Sequence, residues 1–351
     1  MTKTAVVMAL VVLSACDIEA PEEVVASKTE PLYVMTATVW PSTAIPVCWE
    51  DIASNSLEHQ WVREAVQRTW EATSRVSFTG WGTCASRGVL RGIHIRVSDE
   101  QPHTLGLGTQ LNAVEGGMVL NSTFGAWAQD CQARRETCIR GISVHEFGHA
   151  LGFAHEQARA DTPDWCMDKL VLPGGLAIGA WDLASMMNYC NPTWLNGGEL
   201  STTDVVGVQA MYGQRWNPAL SYRLTNSFLG GGRSLDTYGS APYAPFMGTG
   251  DATGQHWKLS HVTRGFYRLT NEFLGTGLAL EGRTSGVIMR FVSPVDAQLW
   301  KLTPLSGGGY RITNRSLGEG RALDTYSTSP NAPFLGVTGN FSGQTWQVTQ
   351  L

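Results

Sequence analysis

Three histidines and a glutamate in the stretch HEFGHALGFAHEQ, residues 145–157, have the residue types and the spacing of a catalytic metal site. Residues four apart lie on one face of an α-helix, so His145 and His149 can direct two imidazoles at one ion. Gly152 lets the chain leave the helix, and the turn brings His155 back as a third ligand. Three protein ligands with an open fourth position are typical of catalytic rather than structural zinc.

Glu146 follows the first ligand and has the position of a general base. It points away from the ligand face but can reach a water in the open coordination position. Zinc lowers the pKa of its bound water and polarises a carbonyl, so Glu146 would take the water proton and pass it to a leaving amine. The alternatives are a purely structural helix, which the long fixed pattern disfavours, and an inactive metal site, which the intact Glu146 disfavours.

The extended pattern H-E-x-x-H-x-x-G-x-x-H resembles the signature of the metzincin metalloproteases. Phe153 and Glu156 resemble the astacin branch of that family, and residues 185–189 (SMMNY) resemble its Met-turn. The resemblance implies an α+β catalytic domain over residues 38–215, with a twisted sheet and a long active-site helix. It also implies one zinc ion, with Met187 as the apolar floor beneath the ligands and Tyr189 as a group that can bind zinc and later donate to the oxyanion.

Hydrophobic periodicity predicts the elements that must position this site. An amphipathic helix is expected over Ser56–Thr73 and a half-buried strand over Gly92–Ser98. A further strand is expected near Met118. The metzincin resemblance implies that it is the edge strand above the cleft, where a substrate can add as an extra strand, and ordinary sheet pairing is the alternative. The first two histidines are expected on a helix from about Ile139 to Leu151, and a short helix ending at Tyr212 closes the domain.

The second part of the chain consists of three repeats. They begin YRLTNSFLGGGRSLDTY at Tyr222, YRLTNEFLGTGLALEGR at Tyr267 and YRITNRSLGEGRALDTY at Tyr310, and each ends in Gln-x-Trp. Three β-rich units that cannot bury their apolar faces alone can close into one threefold barrel. Residues 218–351 resemble the ricin-type β-trefoil lectins, so an all-β threefold trefoil is expected there.

The trefoil resemblance also implies where sugar would bind. Sugar sites in that family use an aspartate with a nearby aromatic platform, and two of the three repeats offer both. The first repeat has Asp236 and Tyr238, and the third has Asp324 and Tyr326. The second repeat has Glu281 and Gly282 instead, which predicts no sugar site there. The alternative is a trefoil that binds protein or has lost sugar binding, with these Leu-Asp pairs kept for packing and turns.

The N-terminus has the features of an export signal. Lys3 precedes an apolar run too short to span a bilayer as a mature helix, and residues 13–16 (LSAC) resemble the lipobox of bacterial lipoproteins. This resemblance implies a signal peptide over residues 1–16 with lipidation at Cys16, and residues 17–37 then form a tether or short pro-segment. An ordinary secretory signal is the alternative.

The remaining cysteines favour an oxidising compartment. Six of the seven lie between residues 48 and 190, an even number that predicts three disulfides with 15 possible connectivities. Proximity in sequence favours Cys131 with Cys138 and Cys166 with Cys190, which leaves Cys48 with Cys84.

Composition limits the class of partner. The 351 residues carry a net charge of −5 with no basic run, which argues against nucleic acid. Together, the metzincin resemblance, the export signal and the cysteines imply an exported, monomeric zinc endopeptidase of the cell envelope or the medium that acts on proteins or peptides. Its trefoil would bind glycans or glycoproteins, and any membrane contact would come only through a lipid at Cys16. The alternatives are an adhesin with a non-catalytic metal domain and, less in keeping with the extended motif, a zinc amidase.

Overall fold

A computed structural model describes residues 32–50, 57–84, 91–166, 174–241, 243–328 and 331–351. The predicted signal peptide, Cys16 and most of the predicted tether lie outside these residues. Within them, buried side chains form two large hydrophobic cores, one before residue 213 and one from Trp216 onward. No helix in these ranges is long and apolar enough to cross a membrane.

The first core lies between a five-stranded sheet and three helices. The strands of this part of the chain are β1 (Leu32–Val34), β2 (Ala44–Trp49), β3 (Ser77–Thr83), β4 (Ile93–Val97), β5 (His103–Thr104), β6 (Met118–Leu120) and β7 (Leu176–Ile178). The helices are α1 (Leu57–Val66), which continues as a π-helical turn to Glu71, α2 (Arg135–Ala150) and α3 (Thr202–Tyr212). The sheet order is β3-β2-β4-β6-β5, with β5 antiparallel to its neighbour β6 and the other pairs parallel.

The helix expected from residue 56 onward is confirmed by α1 and its continuation. Val62, Ala65 and Val66 are buried, followed by Trp70, so the apolar side chains recur at the three- and four-residue spacing of one helix face. That face packs against α2. In this way α1 supports the helix that carries the first two histidines.

Two expectations about the sheet are corrected. β6 is an inner strand, because the two-residue strand β5 pairs outside it and forms the edge. The sequence predicted that one face of β4 is buried. His94 is buried as well as Ile93 and Ile95, so both faces of the strand are covered there. The edge strand escaped prediction because two residues are too few to show an alternating pattern.

The packed part of the first domain begins before residue 38. β1 lies within the segment predicted as a tether, yet it pairs with β7 across 142 residues or more, and Leu32 and Val34 are fully buried. Met35 N also donates to Gly152 O at 2.9 Å, which ties this segment to the turn after α2. The tether can therefore extend no further than residue 31.

Helix α2 begins at Arg135, about four residues before the predicted start. Every residue from Gly141 to Ala150 is buried, so its second half is a central helix covered on all sides. A helix buried all round lacks the apolar stripe that marks a surface helix, which is why only its histidine spacing identified it. The indole nitrogens of Trp70 and Trp40 donate to Val144 O at 2.8 Å and to Ala150 O at 2.7 Å.

Three disulfides cross-link the first domain. None of the described residues of the second domain takes part in a disulfide. The bonds join Cys48 to Cys84, Cys131 to Cys138 and Cys166 to Cys190, the pairing that sequence proximity favours. The last bond closes a loop between the segment after the third histidine and the end of the predicted Met-turn.

The second core lies inside a closed barrel of three four-stranded units. The strands are β8 (Tyr222–Asn226), β9 (Ser234–Thr237), β10 (Pro245–Gly248), β11 (Trp257–Thr263), β12 (Phe266–Asn271), β13 (Leu278–Arg283), β14 (Gly286–Phe291), β15 (Trp300–Pro304), β16 (Tyr310–Asn314), β17 (Gly318–Thr325), β18 (Pro333–Val337) and β19 (Trp346–Gln350). Strands β8, β11, β12, β15, β16 and β19 pair in a ring, because β19 pairs with both β16 and β8. The pairs β9-β10, β13-β14 and β17-β18 are hairpins, one per repeat.

The Gln-x-Trp signature builds the same bonds in each unit. Trp257, Trp300 and Trp346 are fully buried, and each indole donates at 2.8 Å to a leucine carbonyl of its own hairpin. The preceding glutamines donate to the carbonyls of Thr249, Phe291 and Val337. The second domain is therefore a β-trefoil whose threefold pattern comes from the sequence repeat.

Candidate metal centre and substrate cleft

Three imidazoles converge where the turn after α2 folds back on the helix. Nε2 of His155 lies 3.2 Å from Nε2 of His145 and 3.0 Å from Nε2 of His149. The structure therefore brings together the three histidines that the motif predicts, and all three ligand atoms lie within 4.8 Å of one another. Gly152, at φ +95°, makes the turn possible in a region that side chains with a Cβ resist.

The tautomers of the first two rings fit a bound cation. Nδ1 of His145 lies 2.9 Å from Met186 O and Nδ1 of His149 lies 2.8 Å from Phe153 O. A carbonyl only accepts, so each Nδ1 must carry the proton, and each Nε2 of a neutral ring presents a lone pair. The Nε2 atoms of His145 and His149 thus turn their lone pairs toward Nε2 of His155, and the three nitrogens surround one point where a cation can bind. The donor set suits zinc, which neutral imidazole nitrogens bind well.

Burial keeps these rings neutral. Desolvation lowers the pKa of His145 to about 3 and that of His149 to about 4, and it lowers the pKa of His155 further still. Neutral imidazole is the form that binds a metal.

Glu146 lies beside the three rings with an unused oxygen. Its side chain is 4% exposed, and its Oε2 makes no hydrogen bond to the described part of the chain. Burial raises the pKa of this carboxyl to about 8. An unpartnered carboxyl oxygen in a cleft is placed to bind water or substrate, since a buried polar atom without any partner is costly.

The Met187 side chain packs beneath the helix that carries the ligands. It is fully buried, and a Cβ on Gly148 would lie 2.4 Å from its sulfur, so the helix needs glycine at that point to accept the methionine. Met187 O accepts from Glu156 N at 2.9 Å, which ties the turn to the residue after the third histidine.

Asp204 holds this turn and was not recognised from the sequence as part of the site. Its buried carboxylate accepts from Ser185 Oγ at 2.6 Å, from Met186 N at 2.8 Å and from Ser201 N at 2.9 Å. Met186 O in turn accepts from His145, so Asp204 orients the first ligand through the turn. The S-x-x-D capping box at the start of α3 was the signal that could have revealed it.

Tyr189 covers the site from the solvent side. Its ring centre lies 5.2 Å from that of His145 and 4.3 Å from that of His155, and the side chain remains 55% exposed. Desolvation, with a smaller contribution from the Glu146 charge, raises the pKa of its hydroxyl to about 12. The neutral hydroxyl can therefore donate a hydrogen bond at physiological pH.

A cleft runs past the three rings on two sides of Glu146 and Tyr189. On one side a space of about 360 Å³ lies between the β5 edge, residues 103–107, and the rings of His149 and His155. On the other side a space of about 260 Å³ extends toward Trp127 and Trp194. An edge strand beside a cleft can pair with an extended peptide through main-chain hydrogen bonds.

In the trefoil, the two predicted aspartates have structural partners. Asp236 accepts from Thr237 N and Gln255 Nε2, and Asp324 accepts from Thr325 N and Gln344 Nε2. Glu281 in the second repeat likewise accepts from Gln298 Nε2. The shared bond to the Gln-x-Trp glutamine shows that an acid at this place supports the hairpin in every repeat.

The two predicted aromatic platforms are exposed beside these aspartates. Tyr238 is 47% exposed and stacks on Phe246, with ring centres 4.3 Å apart. Tyr326 is 54% exposed and stacks on Phe334 at 4.2 Å. The second repeat has Arg283 at the place of the tyrosine, and this arginine pairs with Glu281 at 2.8 Å.

Comparison with known protein families yields two matches. Residues 125–167, which contain α2 and all three histidines, match the astacin family of peptidases. Residues 253–335 match the ricin-type β-trefoil lectin domain-like family. Comparison with curated proteins gives no significant match.

Solved structures with similarity to the chain align with little more than a third of it. A designed threefold symmetric protein, ThreeFoil, is 24% identical, with 37% of this chain and 99% of that chain covered at a TM-score of 0.33. An exo-β-1,3-galactanase from Clostridium thermocellum is 19% identical, with 39% and 32% covered at 0.35. An endo-β-galactosidase from Clostridium perfringens is 18% identical, with 38% and 32% covered at 0.33. The chain thus spans about a third of the length of either glycosidase.

Proposed function

We propose that this protein is an exported, zinc-dependent endopeptidase with a carbohydrate-binding trefoil. The observation that carries the proposal is the convergence of three neutral Nε2 atoms beside the unpartnered oxygen of Glu146. The astacin match over this segment supports peptide hydrolysis as the reaction. His145, His149 and His155 would hold the ion, and Met187 would be the floor beneath them.

The proposed mechanism uses one activated water and two side chains. Bound zinc supplies Lewis acidity, which lowers the pKa of a water and polarises the scissile carbonyl. Glu146 accepts the proton of the attacking water as the new C–O bond forms. It then delivers that proton to the nitrogen of the leaving amine, and the peptide C–N bond breaks. Tyr189 donates a hydrogen bond to the oxygen that becomes negative during the attack.

Substrate orientation would come from the cleft beside β5. A peptide extended along this edge can form main-chain hydrogen bonds while its side chains enter the spaces on either side of Glu146. Main-chain recognition of this kind favours unfolded or extended protein segments as substrates.

For the trefoil, we propose glycan binding at the first and third repeats. Exposed Tyr238 and Tyr326 can stack on the apolar face of a sugar ring, and Asp236 and Asp324 lie beside them with acceptor oxygens. The second repeat would not bind, because its acid is paired with Arg283. The second candidate function is an adhesin with an inactive metal domain. The exposed Tyr238 and Tyr326 of the trefoil favour this candidate as well.

Export is proposed from the disulfides and the N-terminal sequence. Three disulfides are typical of proteins that fold in an oxidising compartment. The proposed lipid at Cys16 would place the enzyme in the bacterial envelope, and cleavage without lipidation would release it.

The proposed activity is tested with the full chain on casein, together with measurement of zinc stoichiometry. Glu146→Gln should retain one zinc per chain and lose activity by about a hundredfold or more, because only the proton transfer is removed. Glu136→Gln is the matched control, since Glu136 lies on the same helix and pairs with Arg140 at the surface. Equal cleavage by wild type and Glu146→Gln, with zinc bound in both, would falsify the mechanism.

The trefoil proposal is tested with the inactive full chain, Glu146→Gln, on a glycan array. Tyr238→Ala and Tyr326→Ala should each reduce binding, and the double variant should abolish it. Phe291→Ala removes another exposed aromatic, 79% exposed in the second repeat, and should change nothing. A wild-type chain that binds no glycan would favour the trefoil that has lost sugar recognition.

A further inference from the structure

The space on the Trp194 side of the active site has apolar walls. It measures about 260 Å³ and is bounded by Trp127, Ile142, Trp194 and Leu195, with Gln101 and Pro102 at its rim. His145, Glu146 and Tyr189 form its inner end, so it opens directly onto the reacting centre. Among the described residues that line it, Glu146 is the one acid and none is a lysine or an arginine.

The chain is strained where it forms the outer wall of this space. Trp194, Leu195 and Asn196 have φ values of 42°, 52° and 45°, three consecutive non-glycine residues in a region that L-residues rarely adopt. Such conformations persist only when their surroundings impose them, and they concentrate at functional sites. Here the strain directs Leu195 against α2 at Gly141 and leaves Trp194 38% exposed at the mouth.

Several contacts hold this wall in position. Trp194 N donates to Asn191 O at 3.1 Å, and the Asn196 amide donates to Glu199 O at 2.7 Å. The Arg134 guanidinium lies 5.5 Å from the Trp194 ring centre, and its charge is paired with Asp130. The wall is therefore a fixed surface that presents apolar atoms to the reacting centre.

The size and chemistry of the space identify what would occupy it. A cavity of about 150 Å³ lined by apolar side chains is enough for benzene, so this one has room for a phenyl or indole ring or a long aliphatic chain. A charged side chain would lose its hydration there, and the one acid at its inner end, Glu146, is the proposed general base rather than a free partner.

We propose that this space is a specificity pocket for a large apolar or aromatic side chain of the substrate, at one of the two residues that flank the cleaved bond. The inference rests on the proposed peptidase function and assigns that activity a substrate class. Trp194 and Leu195 are its specificity-determining residues, and they act by apolar contact and exclusion of water rather than by chemistry on the bond.

Digestion of a proteome-derived peptide mixture with the zinc-loaded full chain tests the proposal. The expected profile has Phe, Tyr, Trp, Leu or Met enriched at one position next to the cleaved bond, and Asp, Glu, Lys and Arg depleted at that position. A profile with no preference for apolar residues at either flanking position, or one that favours a charged residue at both, overturns the proposal.

Substitutions in the pocket wall then test whether the wall causes the preference for an apolar residue. Two peptides that differ only in Phe or Ala at the preferred position are compared by kcat/KM. Trp194→Ala should reduce the Phe-to-Ala ratio at least fivefold, and Trp127→Ala should reduce it in the same direction. Trp165→Ala, which removes a tryptophan that is 60% exposed outside the cleft, should leave the ratio unchanged. Zinc stoichiometry confirms that each variant folds.

The outcomes separate this proposal from the peptidase function itself. If wild type cleaves and Glu146→Gln does not, but both tryptophan variants leave the ratio unchanged, the peptidase function stands and the pocket proposal is wrong. If wild type cleaves no peptide in the mixture, the peptidase function fails and the pocket proposal fails with it.

Discussion

At the residue scale, the groups of the candidate site are positioned in two ways. The three histidines, Glu146 and Gly152 occupy eleven residues, so the helix period and one glycine turn are enough to bring them together. Asp204 acts instead through contacts 18 and 19 residues away, which the packing of α3 sets. The close approach of Met187 to Gly148 depends on tertiary packing for the same reason.

Tyr189 allows transition-state stabilisation to be separated from binding. Tyr189→Phe keeps the ring that packs on His145 and His155 but removes the hydroxyl donor. We expect kcat to fall by about a hundredfold with KM changed little, since the lost hydrogen bond forms mainly with the developing oxyanion. Steady-state kinetics on a peptide substrate measure this, and zinc content is the control. A rise in KM with kcat unchanged would assign Tyr189 to substrate binding instead.

At the element scale, the sequence repeat made the trefoil predictable, whereas strands of two or three residues could not be predicted. Three copies of one pattern predict three equivalent units, and the Gln-x-Trp residues mark the same strand in each. β1, β5 and β7 have two or three residues each, and β1 finds its partner far along the chain. Nothing local in such segments indicates a strand, so their pairing follows from the tertiary fold.

The three signature glutamines provide a graded series within one fold. Gln298 and Gln344 accept from Ser293 N and Gly339 N in addition to making two donor bonds, whereas Gln255 Oε1 has no partner among the described residues. We expect Gln298→Ala and Gln344→Ala to destabilise the trefoil by about 2–3 kcal/mol and Gln255→Ala by about 1–2 kcal/mol. Calorimetry of the full chain measures the order, and a larger loss at Gln255 would contradict it.

The trefoil should also lose a small part of its stability as pH rises above neutrality. The hydrogen bond from His256 to Asp251, with a second bond to Glu272, raises the pKa of His256. The folded state therefore holds this proton more tightly than the unfolded chain. The stabilisation of the folded state by protonated His256 is complete below the unfolded pKa of about 6.5. It is lost as pH rises through the folded pKa.

Replacing His256 removes the group that titrates, so it should reduce the change of stability with pH. We expect the stability difference between wild type and His256→Gln to shrink from about pH 6 to about pH 8.5, by no more than about 1 kcal/mol because the group lies near the surface. Burial lowers the pKa of His261 to about 4, so near pH 6 the unfolded chain binds this proton and the folded state does not. His261→Gln should therefore change the slope in the opposite direction and make the loss of stability with rising pH steeper. Denaturation midpoints across the pH range measure both, and an unchanged slope in His256→Gln would contradict the assignment.

At the scale of the whole molecule, the two domains are joined by more than a linker. Trp216 is buried against Tyr222 and Tyr310 in the trefoil core, and the neighbouring Arg215 donates to the Tyr310 hydroxyl at 2.9 Å. Just before them, Gly213 O accepts from Arg75 N of the first domain at 3.1 Å. The junction therefore makes contacts with both domains.

The ion pair between Lys301 and Glu199 allows one part of the contact between the domains to be measured as a contribution to stability. Its side chain is 3% exposed, and its ammonium lies 3.4 Å from Glu199 of the first domain and 3.6 Å from Glu319 of its own. A double-mutant cycle with Glu199→Ala and Lys301→Ala should give a coupling energy of about 1 kcal/mol, limited because Glu199 is 44% exposed. The exposed pair Arg96 and Glu100, within the first domain, should give about 0.3 kcal/mol or less. Equal coupling in the two cycles would mean that this ion pair does not stabilise the contact between the domains, which would then depend on the junction and on other contacts such as Arg68 with Glu319 and Thr202 with Thr263.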